Sequence, residues 1–187
     1  MAAKSNLKNM ALCLTLVCLV CSAVLAVTYA VTKEPIDAAQ VAKTNASIAR
    51  VLPEFSAQPQ LCTTELDGVE YSYYSVPGTG SAILVTVSGF GGPLSLMVGI
   101  TESGTVHNTV VLSHSETPGL GAKCQTDQGF ISQFCGWDPA AKRLAVKKDG
   151  GDVDAITAST ITSRAYTLGV KTAVDVFNKI SGGQENE

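Results

Sequence analysis

The residues best suited to chemistry are the hydroxyl side chains of DAITASTITSRA, residues 154–165, which precede a long segment with helical apolar spacing. Side chains of this type accept hydrogen bonds from the free N–H groups at a helix start, so one hydroxyl is enough for a cap. The candidates are Thr157, Ser159, Thr160 and Thr162. The first turn of a helix also attracts anions through unpaired N–H groups and its positive dipole end. Two interpretations follow, an ordinary helix cap or a phosphate site.

Two motifs together resemble a known family. DAITASTITSRA is similar to the flavinylation motif Asp-x-x-Ser/Thr-Gly-Ala/Ser-Thr, with Ala158 where glycine is usual, a change that costs stability only where the backbone needs a positive φ. Residues 89–123 are similar to a Gly-x-Gly-Pro strand pair followed by His-x-Glu-Thr-Pro-Gly-Leu-Gly. Both motifs occur in the G subunit of the Rnf electron-transport complex and the C subunit of the sodium-pumping NADH:quinone reductase. The segment TKEPI, residues 32–36, and the short overall length resemble the Rnf member.

The resemblance implies a covalent cofactor site. A flavin transferase would join FMN through its phosphate to Thr160, while Asp154 and Thr157 would hold the attachment loop. Residues near enough to line the phosphate are Ser159, Ile161 and Thr162. The second motif would add His114, Glu116, Thr117, Gly119, Leu120 and Gly121. No catalytic residue and no metal ligand are expected.

The chemistry of HSETPGLG suits a wall against the flavin ring. Pro118 fixes a turn, and the glycines Gly119 and Gly121 permit positive φ or close backbone approach. Leu120 offers apolar surface to the ring, and Glu116 and Thr117 offer polar groups to the ring edge. Without the resemblance, the same residues form an ordinary surface turn with a solvated glutamate. The lysines considered as weaker contacts are Lys123 and Lys142.

By resemblance the chain is a subunit of a membrane-bound, ion-translocating ferredoxin:NAD oxidoreductase, the Rnf complex, with no independent catalytic activity. Electrons from reduced ferredoxin would cross into the membrane subunits, pass through this flavin and a second flavin-bearing subunit, and return to reduce NAD. Export of Na⁺ or H⁺ would be coupled to this transfer. The implied partners are the other membrane subunits and, during maturation, the flavin transferase.

An uncharged apolar run at residues 10–31 predicts a membrane anchor. As a helix it would span about 33 Å, against a bilayer core of about 30 Å. Lys4 and Lys8 precede the run without any acid, whereas Glu34 follows it closely. The positive-inside rule therefore predicts a cytoplasmic N-terminus and an extracytoplasmic domain, in the inner (cytoplasmic) membrane. A cleaved signal peptide is the alternative, but the run is long for one.

The rest of the chain predicts an α+β domain. Pro35 is expected to end the anchor helix, and helical spacing predicts a second, amphipathic helix over residues 37–55. An antiparallel meander with one buried face follows, with strands expected within residues 69–76, 82–92, 94–100 and 105–114. A basic, strand-like segment, residues 141–148, precedes a final helix whose apolar stripe begins at Tyr166.

The predicted fold class is therefore α+β, with one N-terminal transmembrane helix and one extracytoplasmic FMN-binding domain whose antiparallel sheet is covered by helices on one face. The expected parts are a cytoplasmic N-terminus (1–9), a transmembrane helix (10–31), a connecting amphipathic helix (32–57) and the FMN-binding domain (58–187). His107 is expected to face solvent, opposite Val106 and Val110, and has no predicted role.

Composition excludes other classes of protein. A formal net charge of -3, without any lysine-rich or arginine-rich run, gives no field for nucleic acid. The 6 cysteines show no iron–sulfur spacing. Three of them lie in the apolar run, while Cys124 and Cys135 could pair in an oxidising compartment and leave Cys62 free.

Two further functions compete with electron transfer. A cofactor-free, membrane-tethered extracytoplasmic binding or scaffold protein would use the hydroxyl cluster only to cap the last helix. A secreted hydrolase would use Ser113 or His114, but side chains two apart on a strand form no chain of nucleophile, base and orienting group.

Overall fold

The computed structural model describes residues 7–139 and 141–184. The chain divides into two compact units, Met1–Thr44 and Asn45–Glu187. The predicted cytoplasmic N-terminus, residues 1–9, lies mostly outside the described residues.

The first unit is formed by helix α1, Leu7–Val51, as far as Thr44. Within the described part of the chain, α1 is the single helix whose length and composition would allow it to cross a membrane. Three of its threonines are satisfied inside the helix, because Thr15, Thr28 and Thr32 donate to carbonyls four residues earlier at 2.7–2.9 Å. A helix that satisfies its own polar groups is what a hydrocarbon environment demands.

The predicted break at Pro35 is wrong, because α1 continues through it as one helix. A proline inside a helix removes one backbone hydrogen bond and costs about 3 kcal/mol. The next turn contains Ala38 and Ala39, which are the strongest helix formers, so the helix resumes at once. α1 ends at Val51, two residues before Pro53, since the residue preceding a proline disfavours helical backbone.

The second unit is built on a five-stranded antiparallel sheet in which neighbours in sequence are neighbours in space. Its strands are β1 (Gln60–Leu66), β2 (Val69–Val76), β3 (Gly80–Ser88), β4 (Pro93–Thr101) and β5 (Val106–His114). The predicted meander is confirmed. β1 lies in a segment without a strand pattern, and the hairpin β1–β2 turns at Asp67 and Gly68, both with positive φ (53° and 78°). This is the backbone that a two-residue Asp-Gly hairpin turn requires.

A bulge in β5 changes which face its side chains occupy. The pairing of β4 with β5 shifts register between Gly99 and Ile100, so one extra residue enters β5 at His107. As a result Val106 lies in the larger core and Val110 packs against the smaller cluster on the other face. The expectation that these two valines share a face is wrong. His107 is exposed as predicted, with its ring Nδ1 3.1 Å from the Val51 carbonyl oxygen.

Both faces of the sheet bury apolar residues. The larger core lies between the sheet and the last helix, α4 (Thr160–Gln184). On the opposite face Ile48 and Val51 of α1, with Leu52 just after it, form a smaller cluster with Ala82 and Met97. The expectation of a sheet covered on one face is therefore wrong, because strands β2 to β5 each pack apolar residues on both sides.

In its described residues the connection from β5 to α4 contains two short α-helices, α2 (Lys123–Thr126) and α3 (Gln128–Ile131), and two 3-10 helices, Ser132–Phe134 and Lys147–Asp149. The basic segment at residues 141–148 is not a strand, since Val146 forms only one isolated parallel bridge, to Val153. The predicted helix at the end of the chain is confirmed as α4. Its apolar stripe is buried from Tyr166 to Phe177.

Candidate functional site

The hydroxyl-rich segment forms the loop that leads into α4. Ala158 has φ 62°, in the left-handed region, and this turn lets Ser159 N donate to Ile156 O at 3.0 Å before the helix begins at Thr160. Ser163, which is fully buried, fastens the loop because its Oγ accepts from Ile156 N and donates to Ser159 O, both at 2.9 Å. Ser163, a residue absent from the predicted set, therefore contributes to holding the loop.

A cavity of 390 Å³ opens beside this helix start. Three segments that are distant in sequence meet there: the turn between β3 and β4, the loop after β5, and the beginning of α4. The lining residues are Phe90, Glu116, Thr117, Leu120, Gly121, Ala158, Ser159, Thr160, Ile161 and Thr162. The second motif and the flavinylation motif are thus adjacent in the fold.

Glu116 ties the three segments together. Its carboxylate is buried and accepts hydrogen bonds from Phe90 N at 2.7 Å, Gly91 N at 3.3 Å and Thr162 Oγ1 at 2.9 Å. A buried carboxylate is tolerated when several donors replace its water. A Cβ at Gly121 would collide with Glu116 Oε2, which explains a glycine in the loop. Glu116 therefore organises the cavity wall, with protein donors on both carboxylate oxygens.

Ser159 supplies a polar atom without a partner. Its Oγ is buried and, with Trp137 Nε1, is one of two such side-chain atoms in the described residues that have no hydrogen-bond partner. Ser159 lines the cavity directly before the first residue of a 25-residue helix. Since the first N–H groups of a helix lack internal partners, an anion bound here would satisfy both the helix start and Ser159 Oγ.

A cation lies next to the predicted attachment residue. Lys148 Nζ is 3.4 Å from Thr160 Oγ1, and Thr160 is half-buried. The neighbouring Asp149 binds Arg164 of α4 through two hydrogen bonds of 2.7 Å. Those bonds from Arg164 hold the pKa of Asp149 below its usual range.

Eight of the twelve predicted site residues line the cavity, and the other four lie outside it. His114 braces the loop: its Nδ1 accepts from Glu116 N at 3.2 Å, so Nε2 carries the proton toward Gln125 Oε1, 3.1 Å away. Asp154 pairs with Lys147 at 2.7 Å. The remaining two are Thr157, which is exposed, and Gly119, whose φ of 78° turns the loop.

Two lining residues and one neighbour are absent from the predicted site residues: Phe90, Ala158 and Lys148. Phe90 stands inside the Gly-x-Gly-Pro motif, and Ala158 occupies the glycine position of the flavinylation motif, so both carried a signal in the sequence. Lys148 lies outside both motifs and had no such signal in the sequence. The two lysines proposed from the sequence, Lys123 and Lys142, are not among the lining residues, and Lys142 lies 5.3 Å from the centre of the Trp137 ring.

The six cysteines are free thiols in this structure. Cys124 lies in the larger core, where burial and, secondarily, the charge of Glu116 raise its pKa to about 11. Cys135 is exposed, and its Sγ is 3.3 Å from Asn108 Oδ1.

Comparison with known proteins identifies the class. Residues 89–175, which include every cavity-lining residue, match the FMN-binding domain, and residues 1–51 match the RnfG N-terminal region. The second unit is thus an FMN-binding domain. NqrC of Shewanella oneidensis has a similar fold, with a TM-score of 0.50 at 20% identity over 66% of this chain and 68% of that one.

Relatives narrow the class to one family. The chain is 32% identical to the G subunit of the proton-translocating ferredoxin:NAD(+) oxidoreductase complex of Clostridium ljungdahlii, over 91% of both proteins. It is 34% identical to the G subunit of the ion-translocating oxidoreductase complex of Vibrio atlanticus, over 82% of both. A match to the G subunit from Shewanella baltica is 40% identical but spans 56% of this chain and 54% of that protein. The chain belongs to the RnfG family, the G subunits of ion-translocating oxidoreductase complexes, which confirms the resemblance found in the sequence.

Proposed function

We propose that this chain is the flavin-carrying subunit of a membrane-bound, ion-translocating ferredoxin:NAD oxidoreductase, and that it relays electrons through an FMN attached by a phosphoester to Thr160. One observation supports this most directly. The Thr160 hydroxyl stands at the start of a long helix, beside the unpartnered Ser159 Oγ, in a cavity whose other walls are largely apolar.

The residues present fit both ends of such a cofactor. Ser159 Oγ and the first N–H groups of α4 can hold a phosphate, and the remaining negative charge of the phosphoester is stabilised by the helix dipole. Phe90, Leu120 and Ile161 offer apolar surface to the ring, and a volume of 390 Å³ lies within the range of small-ligand sites, about 300–1,000 Å³. When bound, FMN supplies the redox chemistry, and the protein supplies placement.

Attachment requires a balanced transfer. The Thr160 hydroxyl loses its proton, and its oxygen forms a bond to the phosphorus of an activated flavin donor, a phosphoric anhydride of FMN. The anhydride P–O bond breaks and the second phosphate group leaves. The surroundings of Thr160 contain no histidine or carboxylate among the lining residues other than Glu116, which is already bonded to Thr162. We assign the proton transfer to the flavin transferase.

The proposal includes a membrane topology. Helix α1 serves as the anchor, with Lys8 and the residues before it in the cytoplasm and the FMN-binding domain on the outer side of the inner membrane. The expected partners are the other membrane subunits, including a second flavin-bearing subunit. The predicted borders at residues 31/32 and 57/58 are part of this proposal, whereas compactness alone divides the chain at Thr44/Asn45.

A denaturing gel tests the attachment. Membranes from cells that possess the transferase should give a fluorescent band at about 19.4 kDa under ultraviolet light. Thr160→Ala should abolish the band, whereas Thr126→Ala, which removes an exposed hydroxyl from α2, should retain it. Mass spectrometry should place the adduct on the peptide that contains Thr160. A dark wild-type band would instead support the cofactor-free scaffold.

A further inference from the structure

Lys148 is carried by a compact loop, residues 143–153, that we call the basic clasp. Its two ends are joined by hydrogen bonds from Val153 N to Ala145 O at 3.0 Å and from Lys147 N to Val153 O at 2.8 Å. A Cβ at Gly151 would collide with the Ala145 backbone, so the close approach of the two ends depends on that glycine. The clasp is thus held by its own backbone, independently of any ligand.

The charges of the basic clasp are distributed unequally. Lys147 forms an ion pair with Asp154 at 2.7 Å, and Asp149 forms one with Arg164 at 2.7 Å. The second pair fastens the clasp to the first turns of α4. Lys148, which lies between Lys147 and Asp149 in the sequence, directs its ammonium at a neutral hydroxyl, Thr160 Oγ1 at 3.4 Å. A cation is therefore positioned next to the oxygen that would carry a phosphate.

We infer that Lys148 forms an ion pair with the phosphate of the flavin at Thr160, so that the basic clasp is the phosphate-positioning element of this site. The inference rests on the proposed function and extends it to a residue outside both sequence motifs. A phosphoester on Thr160 Oγ1 places its unesterified oxygens close to the atom that Lys148 already contacts. An ammonium is a suitable partner because it binds phosphate as a compact point charge.

The interaction complements the helix start. The N–H groups of α4 and Ser159 Oγ approach the phosphate from the helix side, and Lys148 approaches from the clasp. Since the site is open to solvent, the ion pair is screened by salt and is strongest at low ionic strength.

Reversible binding tests this role without any turnover. The full-length chain, purified in detergent from cells that lack the transferase, is titrated with FMN and with riboflavin, which has no phosphate. Lys148→Met should weaken FMN binding about tenfold at low salt, which corresponds to about 1.4 kcal/mol, and leave riboflavin binding unchanged. Lys148→Arg should retain most of the affinity. Lys171→Met, an exposed change farther along α4, is the matched control for charge.

A second measurement uses the flavinylated protein. Acetylation of Lys148 by acetic anhydride, followed by mass spectrometry, should be several-fold slower in the flavinylated chain than in the wild-type chain from cells that lack the transferase, while Lys171 reacts equally in both. Equal rates at Lys148, or equal FMN affinity in wild type and Lys148→Met, would overturn the inference.

The outcomes separate the two proposals. A fluorescent wild-type band with no effect of Lys148→Met leaves the covalent flavin standing and removes the role of Lys148. A dark band, together with an FMN preference over riboflavin that depends on Lys148, removes the covalent link and keeps the phosphate contact.

Discussion

Replacing Ala158 with glycine should stabilise the protein. Ala158 adopts φ 62°, a left-handed conformation that costs a residue with a Cβ about 1–2 kcal/mol and costs glycine almost nothing. The residue is exposed, so removing its methyl group sacrifices no buried contact. The sequence motif has glycine at this position, and the structure supplies the physical reason.

The net gain is smaller than the strain. Glycine makes the unfolded chain more flexible, which destabilises the folded state by about 0.4–1 kcal/mol. Subtracting this from the relief of about 1–2 kcal/mol leaves a gain of about 0–1.6 kcal/mol for Ala158→Gly, with a midpoint of about 0.8 kcal/mol. In a chain of this size a gain of about 0.8 kcal/mol raises the melting temperature by about 2–3 °C.

The fluorescence of Trp137 gives a direct assay. It is the single tryptophan of the chain and is 3% exposed, in the larger core of the second unit. Urea unfolding of the full-length chain in detergent, without flavin, should shift to higher midpoint in Ala158→Gly with an unchanged slope. The matched control is Ala155→Gly, in the same loop but without positive φ, which should lower the midpoint.

A midpoint that falls in Ala158→Gly, or falls equally in both variants, would refute the reasoning. Such a result would mean that the left-handed turn before α4 is absent from the protein in solution. Flavinylation offers an independent check, because the transferase should flavinylate at least as large a fraction of Ala158→Gly chains, whose loop is less strained, as of wild-type chains.

Three further predictions follow from the packing. Glu116→Gln should lower the free energy of unfolding by about 1–3 kcal/mol, because the new amide N–H₂ group would face a donor, either the Phe90 N–H or the Thr162 hydroxyl. An unchanged urea midpoint would contradict this. Gly99→Ala should destabilise by about 1–3 kcal/mol, since its Cβ would collide with the Val51 carbonyl, whereas Gly182→Ala, in open space on α4, should be neutral or stabilising in the same assay. The pKa of Cys124 is raised from 9.0 to about 11, so its thiol ionises first in the unfolded chain, and the free energy of unfolding should fall as pH rises from 9 toward 11. Cys124→Ala should make the free energy of unfolding less dependent on pH in this range. The same pH dependence in wild type and Cys124→Ala would contradict the assignment.

Much of the fold could be predicted because alternation reports burial. The alternating residues of β4, which run from Leu94 to Ile100, all lie in the larger core, and α4 buries a stripe that begins at Tyr166. β1 was missed because it is an edge strand without a fully buried residue, so its sequence QLCTTEL lacks the alternation of a core strand. Its one clear signal was the Asp-Gly turn that follows it.

The site was predictable where a motif carried it and unpredictable where tertiary approach created it. Glu116 and Thr160 stand in separate motifs, and only the resemblance to the family implied that the two residues lie close together in space. Lys148 reaches Thr160 because Asp149 binds Arg164, a contact between residues 15 apart that no local pattern predicts. The bulge at His107 is a second example, since one extra residue in β5 reverses the faces of the residues that follow it up to Val111, where a second register shift occurs.

The exposure of the cavity walls gives a physical reason for a covalent link. Phe90, Leu120 and Ile161 are 67%, 45% and 50% exposed, so a ring packed on them would remain partly in water. Reversible binding that buries so little apolar area is weak, at about 25 cal/mol for each Å² removed from water. In the proposed attachment, the bond to Thr160 converts that weak binding into an intramolecular contact, with an effective concentration of the order of mM. The ring can then stay accessible to redox partners at a surface that binds free flavin only weakly.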